Sequence, residues 1–200
     1  MAADKKKSGE KAGSKKAAGK TKAKSKSQMP VSCPPECSEL IVVPKGGQVI
    51  QFYELTPVLP KPNSSGTLEA QSWKLVPQGS STPVEGDVCV GFHDNSNKLE
   101  RTFERAILVI TMSDEACIGG TWRFALGGIA TDLANSDPDD DIYVEIIDNG
   151  LTMLVFVHVL QEVSEEDIGF RFVASFADST SGVVNIYESK DPGFIPKRPL

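Results

Sequence analysis

The apolar residues of this 200-residue chain fall into ten short segments separated by clusters of turn-forming residues, and this pattern limits the folds open to it. The segments are rich in Val, Ile, Phe and Tyr, which favour strands. None sustains the 3.6-residue period of a helix over about 12 residues. Helical turns are expected only near residues 97–106 and 164–167. The predicted strands span residues 39–43, 48–55, 71–76, 86–92, 106–111, 121–126, 141–148, 151–160, 168–175 and 183–188.

Ten short strands at regular spacing predict an all-β fold, an antiparallel β-sandwich of immunoglobulin-like or jelly-roll type. The clearest local signal lies at residues 141–160, where Asp148-Asn149-Gly150 separates two apolar segments and predicts a β-hairpin. The second strand of this hairpin is apolar on both faces, so we expect it to lie centrally and to be covered on both sides. Residues 168–188 predict a second hairpin.

Charge divides the chain into two parts of opposite sign. Residues 1–28 carry ten lysines and two acids, a net charge of +8, whereas the rest carries 11 basic and 25 acidic side chains, a net charge of −14. Residues 1–28 also lack Val, Ile, Leu, Phe, Tyr and Trp, so they bury little that offsets the entropy cost of folding. The sequence predicts a disordered, lysine-rich tail (residues 1–28), a Pro/Cys linker (residues 29–37) and a β-sandwich domain (residues 38–200).

The lysine-rich tail is the candidate binding segment. A polycation attracts phosphate backbones, and lysine without arginine favours loose attraction over bidentate recognition. We therefore expect non-specific contact with nucleic acid or another polyanion. The alternatives are that the tail keeps the chain in solution, contacts the acidic remainder of the chain, or targets it. The polyanion-binding residues are Lys5, Lys6, Lys7, Lys11, Lys15, Lys16, Lys20, Lys22, Lys24 and Lys26.

Four cysteines leave several states open. Cys33 and Cys37 flank a Pro-Pro-Glu spacer, and a disulfide between them requires an oxidising compartment. A zinc site fits poorly, because only one close pair of cysteines exists. The simplest interpretation is that Cys89 and Cys117 are small buried residues and that the linker pair is reduced.

An acidic run at residues 137–141 supplies the candidate metal ligands. Asp137, Asp139 and Asp141 match the first, third and fifth positions of a calcium loop, but Ile142 stands where such a loop needs glycine. A looser calcium site at these three aspartates stays open beside the alternative of a solvated acidic loop. No other cofactor is expected.

The sequence offers no recognisable catalytic arrangement. His93 lies at a strand end, and His158 shares a strand face with Phe156, where a histidine is usually a core residue. Motifs for phosphate loops, dinucleotide binding, zinc proteases and serine hydrolases are absent from the sequence. We therefore expect a non-enzymatic chain, with an enzyme as the less favoured alternative, because a Ser, a His and an Asp from distant positions can assemble in the fold. Trp73 and Trp122 are expected to anchor the core.

The second half of the chain carries a recognisable order of features. An aromatic–Gly-Gly strand end, an acidic loop and a hairpin are followed by a strand with Phe170 and Phe172, then by Asp191-Pro192 and a later proline. From residue 122 to residue 199 this order resembles small bacterial β-sandwich proteins of the DP-EP family. Lys197-Arg198-Pro199 departs from it, since an acid is expected before the final proline. The resemblance implies a sandwich domain and no established activity, and it does not include the lysine-rich tail.

These features favour a non-enzymatic β-sandwich module for binding or assembly, whose lysine-rich tail contacts polyanions. The alternative is a small viral or virus-like capsid subunit with an arm that neutralises the genome. No stretch approaches the ~18 apolar residues of a membrane span, and the N-terminus lacks an apolar signal region, so we expect an intracellular, cytoplasmic chain. Homo-oligomerisation is the remaining partner expectation.

Overall fold

The computed structural model describes residues 37–131, 141–161 and 170–198. The chain divides into two units, Met1–Pro30 and Val31–Leu200, and the described residues all belong to the second. The lysine-rich tail, the linker apart from Cys37, and the helical turn expected at residues 164–167 therefore lie outside the described residues.

Strands dominate the described residues, and each of the ten predicted strands overlaps an observed one. The expected helical turn begins at Asn97, whose side chain caps the short helix α1 (Lys98–Arg101). Two 3-10 turns span Asp114–Cys117 and Asp148–Gly150. The strands in chain order are β1 (Cys37–Val42), β2 (Gln48–Thr56), β3 (Lys61–Pro62), β4 (Leu68–Glu69), β5 (Lys74–Pro77), β6 (Asp87–Gly91), β7 (Arg105–Met112), β8 (Gly120–Thr131), β9 (Ile142–Ile147), β10 (Thr152–Val157), β11 (Phe170–Asp178) and β12 (Val184–Lys197).

Across the described residues, the strands form two five-stranded sheets and a separate β3–β4 pair. The first sheet has the order β1-β6-β12-β11-β8, and the second has the order β5-β2-β7-β10-β9. The pairs β1–β6, β6–β12 and β2–β7 are parallel, whereas the other neighbours are antiparallel. The predicted β-sandwich is confirmed, but the prediction that it is antiparallel is wrong, since both sheets are mixed. Strands joined by long connections can pair in either direction. Among these residues no helix has the length and apolar character needed to cross a membrane.

The hydrophobic core combines inward-facing side chains from both sheets. Leu108, Val155 and Phe172 are fully buried members of one apolar cluster. Trp73 and Trp122 are also buried, and their rings meet edge to face with centroids 5.6 Å apart. The prediction that both tryptophans anchor the core is therefore confirmed.

The hairpin predicted at residues 141–160 is formed by β9 and β10. Its turn places Asp148, Asn149 and Gly150 at positive φ, a conformation that asparagine and glycine accept readily. β10 lies between β7 and β9, so its predicted central position is confirmed. The prediction that β10 is covered on both sides is wrong, because its side chains alternate between buried and half-exposed.

The cysteine predictions need correction. Cys37 of β1 and Cys89 of β6 form a disulfide, with their Cα atoms 5.6 Å apart. A Cys33–Cys37 disulfide is therefore excluded here, since Cys37 is already bonded, and Cys89 is not a free thiol. Cys117 is free but exposed, not buried as expected. The pairing arises because β1 and β6 are parallel neighbours, a contact between residues 52 apart that no local spacing reveals.

The C-terminal segment of the described chain forms the second half of β12, and it packs on the sandwich. Residues 189–192 of β12 lie opposite the single residue Phe172 of β11, where the register shifts. The Ser189 hydroxyl accepts the N–H of Phe172 at 3.0 Å, so this buried donor has a partner. Beyond the shift, which includes Asp191-Pro192, β12 pairs with β6.

Candidate functional site

The residues chosen from the sequence lie largely outside the described part of the chain. This applies to all ten candidate lysines of the tail and to Asp137 and Asp139. Asp141, the third calcium candidate, is buried just before β9. Within the described ranges no three His, Cys, Asp or Glu side chains are grouped to hold a metal. Polyanion and calcium binding therefore stay predictions.

The second sheet exposes an apolar surface on the side that faces away from the core. Side chains alternate along a strand, so every second residue of β2, β7, β9 and β10 points outward. Such positions are usually polar in a sandwich. We define the outer apolar face as Ile50, Phe52, Ile107, Val109, Tyr143, Leu154 and Phe156.

The strand register makes these residues contiguous. Ile50 of β2 pairs with Ile107 of β7, and Phe156 of β10 lies between Ile107 and Tyr143. One apolar row therefore crosses four strands. A second row runs beside it, because Phe52 and Leu154 both pair with Val109.

The edges of the outer apolar face are well exposed. Ile50, Phe52 and Tyr143 retain 53%, 46% and 59% of their accessible surface. Burial of large apolar side chains is worth roughly 1.5–3 kcal/mol each, so leaving several in one exposed patch is costly for an isolated chain. Contiguous apolar patches of this kind mark interaction surfaces.

Two clefts with opposite charge flank the outer apolar face. The first, of about 550 Å³, is lined by Arg105, His158 and Leu160 together with the ring pair Tyr143–Phe156. The centroids of those rings are 5.7 Å apart. We call Arg105 and His158 the basic corner.

The second cleft, of about 450 Å³, is lined by residues of β2, β5 and β7 and by Asp114. Its acidic side chains are Glu54 and Asp114, which we call the acidic corner. Glu54 pairs with Thr111, at the opposite end of β7 from Arg105. Six residues of strand separate these positions, a distance of about 20 Å. The two corners therefore lie at opposite ends of the face.

His158 corrects the prediction of a core histidine. It follows β10 on the same side as Phe156, half-buried, and lines the basic corner's cleft. The backbone N–H of His158 donates to the backbone carbonyl of Asp141 at 2.9 Å. The inward side of this segment is instead filled by Val157 and Val159, which are fully buried.

A second charged cluster is enclosed in the fold. The side chains of Glu104 and Arg198 are fully buried and form an ion pair at 2.5 Å. Arg198 also donates to the carbonyls of Val159, at 3.1 Å, and His93. Because this pair has no access to solvent, it holds the C-terminal strand in place and is no ligand site.

Glu104 is held as a carboxylate. Burial raises its pKa, but hydrogen bonds outweigh burial and leave the pKa below its ordinary value. They come from the Ser96 hydroxyl, the Arg198 guanidinium and the N–H of Gly46, the last at 2.9 Å. The charge is therefore built into the folded state.

Sequence reasoning missed the outer apolar face, although a signal was present. Residues 105–112 are apolar at both inward and outward positions, as are residues 151–160. Apolar residues on both sides of a strand predict burial on both sides. Only the arrangement of the sheets shows that, in the part of the chain that the structure describes, no element covers the outer side. Ile50 and Phe52 repeat the signal on β2.

The comparisons with known proteins reach one family. A family model described as the DP-EP family matches residues 39–198, which extends the resemblance seen at residues 122–199 toward the N-terminus. No curated protein and no solved structure matches the chain. The match excludes the lysine-rich tail and covers both sheets, including the outer apolar face.

Proposed function

We propose a non-enzymatic role in binding and assembly for this chain, which belongs to the DP-EP family. The observation that carries the proposal is the outer apolar face, where two contiguous apolar rows cross the second sheet at its solvent side. A surface of this kind gains free energy when a partner covers it.

The lysine-rich tail supplies the second part of the proposed role. Its charge of +8 contrasts with the described residues of the sandwich, which carry 11 basic and 16 acidic side chains, a net charge of −5. We infer that the tail contacts a polyanion through point charges, without sequence specificity, and that the acidic sandwich is held off by like-charge repulsion. Nucleic acid is the proposed polyanion.

Salt-dependent binding tests this role. Anisotropy of a labelled DNA duplex would be measured at ~50 and ~200 mM salt, where six or more phosphate contacts lose about 10³-fold in affinity. The full chain should bind at the lower salt, and a variant with all ten tail lysines changed to Gln should not. The control variant changes Lys61, Lys74 and Lys190 of the sandwich to Gln and should bind as the parent does. Equal binding by the parent and the ten-lysine variant would refute the polyanion role.

A further inference from the structure

We propose that the outer apolar face binds a second copy of this chain in a two-fold symmetric dimer. This inference rests on the binding role proposed above and names the partner. In such a dimer the same face is used by both copies, so each residue contact occurs twice. The face must therefore complement itself.

The charges at the ends of the face supply that complementarity. The basic corner lies at the start of β7, on the side of the sheet toward β10. The acidic corner lies at the end of β7, on the side toward β2 and β5. Consider a two-fold axis that lies in the plane of the interface and is perpendicular to the line joining the two corners. It places Arg105 of each copy over Glu54 and Asp114 of the other. The apolar rows then meet in the middle. Two opposite-charge contacts therefore flank a desolvated centre, an arrangement typical of specific interfaces.

Arg105 and Glu54 lie on adjacent strands, about 20 Å apart along the strands and about 4.8 Å apart across them. The axis that exchanges them is therefore nearly perpendicular to the strands, and the strands of the two copies cross at roughly 30°. Crossing near this angle is one of the two ways in which sheets pack face to face. Five strands about 4.8 Å apart and seven residues along the strands give a patch roughly 20 Å on each side.

The size of the patch sets the strength of the dimer. A square of that size covers roughly 400 Å² per copy, so the dimer buries little more than about 800 Å² in total. Stable dimers bury about 1,200 Å² or more, so we expect reversible association in the micromolar range.

Other occupants fit the charges less well. Three acidic side chains, Glu54, Asp114 and Glu145, border the face. Its basic side chains are Arg105 and His158 at one end and Lys74 on the outward side of β5. A polyanion or an anionic membrane would meet like charge at the acidic corner. A second copy meets opposite charge at both corners.

Sedimentation velocity on the full chain tests the dimer from ~1 to ~500 µM. The parent should shift from monomer to dimer, and Phe52→Lys should weaken association at least about tenfold. The matched control is Ile186→Lys, which places the same charge on an exposed apolar residue of the other sheet and should leave the dimer unchanged. Circular dichroism establishes that each variant is folded.

A charge exchange tests the arrangement and does not depend on Phe52. Arg105→Glu and Glu54→Arg should each weaken the dimer about tenfold or more, since like charges then meet at both corners. Combining the two substitutions in one chain restores opposite charges and should recover most of the affinity. Only a partner with the same two corners shows this recovery.

The inference is overturned by a parent that stays monomeric throughout, by a dimer unaffected by Phe52→Lys, or by single charge variants that the combination does not rescue. A shell-sized particle overturns it as well and favours a coat subunit. Duplex binding is measured on the same samples. If the parent binds the duplex in a salt-dependent way but forms no dimer, the dimer inference is rejected and the polyanion role stands. If the parent forms the dimer but does not bind the duplex, only the polyanion role is rejected.

Discussion

Gly193 occupies a position in β12 where the neighbouring strand leaves no room for a side chain. A Cβ atom there would overlap the carbonyl oxygen of Phe170 and lie 3.1 Å from the Asp87 carboxylate. That carboxylate accepts the Gly193 N–H at 2.8 Å. The residue after Asp191-Pro192 is therefore glycine because the two backbones approach closely, not because of a positive φ.

Replacing Gly193 with Ala should destabilise the fold by roughly 2–3 kcal/mol, since backbone must move to relieve the overlap. The matched control is Gly182→Ala, where a Cβ meets nothing within 4 Å and only the positive φ is strained. Gly182→Ala should lower the free energy of unfolding by about 1 kcal/mol. Urea unfolding of the two variants measures the difference, and equal losses would contradict the steric account.

The buried Glu104–Arg198 pair makes the last described residue part of the core. Arg198→Met leaves the Glu104 carboxylate buried without its partner and should cost about 3–5 kcal/mol of stability. Arg171→Met is the matched control, because Arg171 is half-exposed and lies 3.9 Å from Asp191. Arg171→Met should lower the free energy of unfolding by less than about 1 kcal/mol. A similar loss in both variants by chemical denaturation would show that the buried pair has no special role.

The lowered pKa of Glu104 predicts a pH dependence with a definite sign. A carboxyl with a depressed folded pKa adds stability that is complete above its unfolded pKa and is lost as the pH falls through the folded pKa. Wild-type stability should therefore decline as the pH drops below the ordinary glutamate value of 4.5. Glu104→Gln should be less stable at neutral pH, and the gap between the two proteins should narrow on acidification. A constant gap in unfolding free energy across this range would contradict the assignment.

Among the elements, the edge strand β1 depends most on a single bond. Among the described strands, β6 is the one neighbour of β1, and the Cys37–Cys89 disulfide joins the two across a separation of 52 residues. By the chain-entropy model such a link stabilises the fold by about 4 kcal/mol. Disulfides persist in oxidising compartments, so this bond runs counter to the intracellular, cytoplasmic location expected from the sequence.

Reduction tests the contribution of that bond. Cys37→Ser/Cys89→Ser should lower the free energy of unfolding by about 2–4 kcal/mol, and dithiothreitol should lower the melting temperature of the parent but not of the variant. Cys117→Ser, which removes the exposed free thiol, should change neither. An unchanged melting temperature of the parent on reduction would contradict a stabilising role.

The strands were predictable because alternation and turn residues are local. Asp148-Asn149-Gly150 marked the β9–β10 turn, and the run at residues 151–160 marked a central strand. What the sequence could not show depends on partners distant in the chain. Cys89 contacts Cys37 through parallel pairing, and Phe156 remains half-exposed because no described strand or helix covers the second sheet there. The direction of pairing and the coverage of a sheet are tertiary properties that no local pattern encodes.

The chain combines an acidic sandwich, which bears an exposed apolar surface, with a lysine-rich tail. A dimer through the outer apolar face would place two such tails on one particle. Simultaneous contact of both tails with one polyanion would then raise the apparent affinity about 10²-fold or more without any new type of contact. Phe52→Lys, which separates the copies, should therefore also weaken duplex binding although it lies outside the tail. Unchanged duplex affinity at concentrations where the parent is dimeric would show that the two properties are independent.

We expect a second copy of the chain to cover the outer apolar face. Hydroxyl-radical footprinting with mass spectrometry measures this directly on the unmodified full chain. As the concentration rises through the association range, oxidation of Tyr143 and Phe52 should fall, whereas oxidation of Leu126, an exposed residue of β8 in the other sheet, should stay constant. Constant oxidation of Tyr143 and Phe52 at every concentration would contradict the account.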